Sequence, residues 1–143
     1  MIREAGGAAD LDAAVTMLSR LGEELALGVP FHAATARRLV EGLAASDRGL
    51  VLILDRGVHA GVLLASAQPY AFAPVLAAEE IAWWIAPDAR GRWARAMLAR
   101  FEAWAVERGA ALLGVSDTGK PAGHFYARHG FAPGERKHFK VIS

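Results

Sequence analysis

The chain has no cysteine, which excludes disulfides, thiolate metal sites and a cysteine nucleophile. It also lacks any apolar run long enough to cross a bilayer, although 54% of its residues are hydrophobic and its mean hydropathy is +0.23. Residues 1–7 contain no apolar segment of signal-peptide type, so no secretory signal is expected and a cytoplasmic location is. Neither sign of charge dominates. A formal net charge of +1 supplies no general basic surface for nucleic acid or membrane. There is no internal repeat, linker or low-complexity tract, so the 143 residues are expected to form a single domain, 1–143. No histidine pair, carboxylate cluster or Gly-x-Ser-x-Gly is present to support a metal site, a glycosidase or a serine hydrolase.

What is present is a regular succession of apolar periods. Met1 to Ala5 alternates weakly, as a short first strand would. From Asp10 the apolar residues Leu11, Ala14, Val15, Leu18, Leu21 and Leu25 fall at helical spacing, and Gly28-Val29-Pro30 ends that helix. A second helix buries Ala36, Leu39, Val40 and Leu43. Leu50 to Leu54 is a β-type run, turned at Asp55-Arg56-Gly57 into a strand over 58–67, so a hairpin is expected. Residues 68–77, with two prolines, read as a loop. A strand over 80–86 stops at Pro87, which cannot continue a hydrogen-bond ladder. A helix over 91–107 buries Ala94, Met97, Leu98, Phe101, Trp104 and Ala105, and Gly109 closes it. A strand over 111–116, a helix over 121–129 and a final extended segment from Phe131 to Ile142 complete the chain. The order is β-α-α-β-β-β-α-β-α-β, a mixed α/β sheet with helices packed on it.

The most specific stretch follows residue 114. It leads from a strand end into a short helix that closes with Phe125-Tyr126-x-x-x-Gly130-Phe131. Gly at the first non-helical position is a helix stop, because only Gly takes positive φ without steric cost. Together with the element order and the Arg90-Gly91 turn before the third helix, this pattern resembles the GNAT superfamily of acyl-CoA-dependent N-acetyltransferases. The resemblance spans nearly the whole chain and is strongest over 80–131. It implies a central mixed sheet of six to seven strands flanked by four helices, and acetyl-CoA as co-substrate without a metal.

The resemblance also assigns residues. It puts the cofactor's pantetheine on the backbone of the fourth strand, at Trp84, Ile85 and Ala86. The diphosphate goes to the start of the third helix, at Arg90, Gly91, Arg92, Trp93, Ala94 and Arg95, where free N–H groups and the helix dipole favour an anion. Arg90 fits the family's phosphate pattern. Trp93 and Arg95 stand where that pattern has small residues, and Gly119 stands where many members have asparagine. Tyr126 matches the tyrosine that protonates the departing thiolate, Ala122 the small residue one turn earlier, and Glu80 a general base carried by some members. Phe31 and His32, between the first two helices, fall where the acceptor pocket is often lined.

Each assignment has a structural counterpart. Trp83 and Trp84 point to opposite faces of one strand, as core residues or as a pocket wall. Arg90, Arg92 and Arg95 are a solvated helix start, or they hold an anion that offsets their unfavourable place on the dipole. Tyr126 is a buried tyrosine capping the last strand, or the proton donor. His124 borders the thiol site or is exposed, and His59, His129 and His138 read as surface or turn residues. The expected function is transfer of an acetyl group to a small-molecule or peptide amine. The rival is a GNAT-fold binding or assembly module without catalysis, favoured by the Trp93, Arg95 and Gly119 departures. The apolar loop 70–78 suits an interface, a homodimer's included.

Overall fold

The computed structural model describes residues 1–26, 28–117, 120–135 and 137–142, with the backbone alone for 120–122. Five strands form one sheet in the order β1-β2-β3-β4-β5: β1 Ile2–Glu4, β2 Gly49–Asp55, β3 His59–Pro69, β4 Leu76–Ile85 and β5 Ala110–Gly114. The first four pair antiparallel, and β5 joins β4 in parallel. Helices α1 (Ala8–Leu25) and α2 (Ala33–Ala45) precede β2. Helix α3 (Arg92–Glu107) crosses from β4 to β5, and α4 (Lys120–Ala127) follows β5.

Alternation along the strands divides the apolar residues into two cores. Leu50, Leu52 and Leu54 of β2 and Leu63 of β3 pack with Met97, Leu98, Phe101 and Trp104 of α3. Val51, Ile53, Val62 and Leu64 point the other way, onto Ala14, Met17 and Leu18 of α1 and Val40 and Leu43 of α2. Burying a side chain of this size is worth about 1.5–3 kcal/mol. Strands β2 and β3, covered on both faces, therefore read as continuous apolar runs rather than alternating ones.

The end of the chain departs from the sequence expectation. No residue after α4 lies in a strand among those described, so the sheet has five strands rather than six to seven. Pro133 has no N–H for a ladder, and Gly134 beside it weakens a strand further. Phe139, Val141 and Ile142 are exposed, and the segment turns toward the joint between α1 and α2, where a Cβ on Gly28 would stand 3.3 Å from Val141 Cγ2. The β3–β4 hairpin is longer than expected, because Gln68 and Pro69 pair with Ala77 and Leu76.

One buried charge ties the start of the molecule together. Asp10, in the first turn of α1, accepts hydrogen bonds from Nη1 and Nη2 of Arg3 on β1, from the Gly6 N–H at 2.8 Å and from His59 Nε2 at 2.8 Å. Arg3 also reaches Asp55 at 2.9 Å. His59, expected at a surface or turn, instead opens β3 half-buried against Asp10. The Arg3 guanidinium holds the Asp10 carboxyl well below the usual carboxylate range, against burial, with Gly6 and His59 assisting.

A carboxyl with a depressed folded pKa stabilises above its unfolded value and loses that contribution as pH falls through the folded one. Asp10→Asn is expected to cost roughly 2 kcal/mol at pH 7, less than for a fully enclosed pair because Arg3 remains partly exposed. Urea unfolding of parent and variant should show the difference shrinking below about pH 4. A pH-independent difference would mean that packing, not charge, is what the substitution removes.

Candidate active site

The site is built where β4 and β5 part. The two strands pair only from Leu76 to Glu79, opposite Ala110 to Gly114. Beyond Glu79 the outer edge of β4 has no strand partner among the described residues. The β3–β4 register also shifts here: Leu64 faces Ala82 while Ala65 faces Glu80, so Ile81 is an extra residue, a β-bulge. The bulge puts Glu80 and Trp83 on the same side of the sheet, toward α3 and α4. Trp84 goes to the opposite side, under α1. Glu79 remains exposed.

Glu80 lies in the fork between the strands, half-buried, and its Oε1 accepts the Ser116 N–H at 3.3 Å as the chain leaves β5. Burial pushes its carboxyl up from 4.5 to about 7, and the bonds to Ser116 only partly oppose this. Its carboxylate is therefore half formed near neutral pH.

Tyr126 comes from the last turn of α4 and is buried. The Tyr126 carbonyl accepts the N–H groups of His129 at 2.9 Å and Phe131 at 3.1 Å. Gly130, at φ 87°, makes the turn between them. The helix stop expected from the sequence thus anchors the tyrosine backbone directly. Its ring is surrounded by Trp83, Phe125 and Phe131, with centroids 6.4, 5.7 and 5.5 Å away. Burial raises the phenol pKa well above its ordinary value, and the Glu80 and Asp117 charges add to the rise. The phenol stays protonated throughout the neutral range. The indole N–H of Trp83 is buried without a hydrogen-bond partner among the described residues.

The open edge of β4 can be read from its hydrogen bonds. The Ala86 N–H donates to Ala60 O at 2.8 Å, on the β3 side. By alternation the N–H and C=O of Ile85 lie on the other side, and the Ile85 carbonyl does accept Arg90 Nε there at 2.8 Å. Of Trp84, Ile85 and Ala86, Ile85 is the one whose N–H faces the open edge.

At the start of α3 the first intrahelical bond runs from Arg95 N to Gly91 O, so the N–H groups of Arg92, Trp93 and Ala94 have no acceptor in the helix. Gly91 takes φ 95° and ψ −103°, a conformation suited to glycine, and a Cβ there would meet nothing within 4 Å. Trp93 does not block this entrance. It packs against the α3-side core, with Arg92 and Arg56 over its ring at 4.9 and 5.9 Å. Ala94 packs on the same core, and Arg95 is exposed without an ion-pair partner among the described residues. Arg90 is engaged: its Nη2 donates to both carboxylate oxygens of Glu24, at 2.8 and 3.0 Å.

The structure thus brings Glu80 and Tyr126 together and places the α3 entrance beyond the open edge. It does not join Phe31 or His32 to them. His32 caps α2, its Nδ1 accepting the Thr35 N–H at 3.2 Å, and Phe31 is exposed beside Gly22 of α1. His124 is exposed, and His129 stacks on Phe125 at 4.5 Å. Gly119 and the Ala122 side chain lie outside the described residues. Ser116 and Glu24 escaped the sequence reading. Glu24 carried a signal, since an acidic residue in the last turn of a helix opposes its dipole.

A family model described as the acetyltransferase (GNAT) family matches residues 19–131. No curated protein is found to match the sequence. Several solved structures share the fold. A transcriptional regulator from Bacillus halodurans is 23% identical, with a TM-score of 0.76 over 97% of this chain and 99% of that one. An aminoglycoside acetyltransferase from an uncultured soil metagenomic sample is 23% identical, with a TM-score of 0.71 over 100% and 97%. A GNAT family acetyltransferase from Staphylococcus aureus is 14% identical, with a TM-score of 0.70 over 99% and 98%.

Glu80 should cost stability where it is ionised. A carboxyl with a raised folded pKa keeps its proton in the folded chain after the unfolded chain has lost it. Stability therefore falls as pH rises from 4.5 to about 7 and stays lower above that. Glu80→Gln removes this penalty while keeping an acceptor for the Ser116 N–H. The variant is expected to be more stable than the parent at pH 8 by roughly 2 kcal/mol, after allowing for partial access to water, and equal to it near pH 4.5. Urea midpoints across this range test the point, and a variant that is less stable at pH 8 would contradict it.

Proposed function

We propose that this chain, which belongs to the GNAT family of acetyltransferases, moves an acetyl group from acetyl-CoA to a primary amine by direct attack. One observation carries the reading: Glu80 and Tyr126 share one face of the β4–β5 fork. One is a carboxyl that titrates near neutrality, and the other is a phenol kept protonated by burial. Amide formation from a thioester needs one group to take a proton and one to give a proton.

The residues present fit the co-substrate. Within the stretch Trp84, Ile85 and Ala86, the open edge at Ile85 suits an amide of a pantetheine arm. The three N–H groups of α3 with no acceptor among the described residues, the bare approach at Gly91 and the cations Arg90, Arg92 and Arg95 suit a diphosphate. The thioester supplies an activated acyl group. The Glu80 carboxylate takes the ammonium proton of the acceptor, and the freed amine attacks the carbonyl carbon. The Ile85 N–H on the open edge faces the developing oxyanion. The C–S bond then breaks, the Tyr126 hydroxyl protonates the sulfur, and the second proton that the nitrogen sheds as the amide forms passes through water to restore the phenol. No covalent enzyme intermediate is needed. Phe31 and His32, on the joint after α1, are the residues we assign to the acceptor side.

The expected kinetic signature of Tyr126→Phe is a turnover number reduced by ~10²–10⁴ with acetyl-CoA affinity nearly unchanged, since the ring packing survives. Stopped assays for free thiol, paired with calorimetric titration, measure both. Undiminished turnover removes the hydroxyl from the mechanism. A parent chain that gives no binding heat at millimolar acetyl-CoA favours the rival, a binding module without catalysis, which the bulky Trp93 and Arg95 positions suggest.

The pH dependence of kcat/KM in the parent should show an ascending limb with an apparent pKa near 7, because only ionised Glu80 accepts the proton. In Glu80→Gln that limb should disappear at neutral pH, and the rate should recover only as the free amine itself deprotonates, near pH ~10 for an alkylamine. Superimposable profiles for parent and variant would assign the base to another group.

A further inference from the structure

We infer that Glu24 is a positioning residue that acts through Arg90 on the cofactor side of the site. Glu24 lies in the last turn of α1 and makes three contacts across to β4 and the loop after it. Its Oε1 accepts the Trp84 indole N–H at 3.1 Å and Arg90 Nη2 at 2.8 Å, and its Oε2 accepts the same Nη2 at 3.0 Å. Arg90 in turn donates Nε to the Ile85 carbonyl at 2.8 Å. The chain Glu24–Arg90–Ile85 therefore runs from the end of α1, through the residue before Gly91, to the residue whose N–H faces the open edge of β4.

Stability does not account for this arrangement. The pair is about half exposed on both sides, and exposed ion pairs contribute little to folding. Glu24 also sits against the negative end of its helix dipole, a place that disfavours a carboxylate without a fixed cation. What the contacts supply is direction. With Nε and Nη2 engaged, the guanidinium plane is set, and Nη1 has no partner among the described residues. An arginine held in this way presents a pre-oriented pair of N–H donors, so an anion need not first order a free side chain. Arg92 lies over Trp93 and Arg95 has no ion-pair partner among the described residues, so Arg90 is the cation of the three whose geometry is fixed by a carboxylate.

This inference rests on the proposed binding of acetyl-CoA with its diphosphate at the α3 start. It makes a prediction opposite in sign to simple charge. Deleting a carboxylate near a bound diphosphate should by Coulomb's law tighten binding. If Glu24 positions Arg90, deletion loosens it instead. The test is calorimetric titration of the full chain with acetyl-CoA and with acetyl-pantetheine, which lacks the diphosphate. Glu24→Ala is expected to weaken acetyl-CoA about 3- to 10-fold, the range of a typical single hydrogen-bond contribution. It should leave acetyl-pantetheine unchanged. Glu24→Gln, which keeps acceptors for Trp84 and Arg90, should lose less. In an Arg90→Ala background, Glu24→Ala should have no further effect, because the partner through which it acts is gone.

Unchanged or tighter acetyl-CoA binding by Glu24→Ala overturns the inference; tighter binding would show that Glu24 competes with the diphosphate for Arg90. Additive losses in the double variant also overturn it. Thermal melts check that Glu24→Ala is folded, and Glu24→Gln carries the comparison if it is not. A parent chain that fails to bind acetyl-CoA removes the underlying functional reading itself. A parent that binds, with variants that bind equally, removes only the role of Glu24.

Discussion

Strand β4 has two neighbours that make incompatible demands on it. It pairs antiparallel with β3 along its whole length, but with β5 in parallel only as far as Glu79. A strand cannot leave one partner while fully paired to another without exposing backbone donors and acceptors along one edge, and such groups need partners of some kind. The open edge from Glu80 to Ile85 is thus a consequence of sheet pairing. Everything placed in the fork depends on it: the Glu80 carboxylate, the Ser116 N–H that meets it, and the aromatic wall from α4 that closes over it.

Two carboxyl groups in this protein show how partner chemistry, not burial alone, sets ionisation. Asp10 is nearly inaccessible yet strongly acidic, because a guanidinium and a peptide N–H stabilise its charged form. Glu80 is half-buried, its contacts are to Ser116 and no cation faces it among the described residues, so desolvation prevails and its pKa rises. The first arrangement joins β1, α1 and β3 and makes structure. The second leaves a group poised to exchange a proton near neutral pH, which structure alone would not require.

Charge at the helix ends follows a related logic. Arginines at the start of α3 and glutamate at the end of α1 are each on the wrong end of a dipole. The fold resolves part of this by setting the two ends side by side, Glu24 against Arg90, and by laying Arg92 across the Trp93 ring. Trp93, which in sequence looks like an obstruction of the α3 entrance, becomes a packing surface beside it.

The sequence by itself determined the helices, the first five strands and the helix stop at Gly130. These follow from local causes: apolar period, glycine and proline placement, and the alternation that sends Trp83 and Trp84 to opposite faces. It also singled out Tyr126 and Glu80, by the resemblance of their positions to a known pattern. Tertiary structure decided the rest. Adjacent glutamates at 79 and 80 are equivalent to any local rule. The extra residue Ile81, visible only as a register shift against β3, turns Glu80 and not Glu79 onto the face with Trp83. The strand expected after Phe131 failed because pairing needs an accepting edge as well as a suitable sequence, and Pro133 and Gly134 disfavour that pairing. Arg90 looked free in the sequence, yet is bound to a carboxylate 66 residues earlier. Contacts over such a separation leave no periodic trace in the chain, because they are fixed by how helices and strands stack and not by the residues between them.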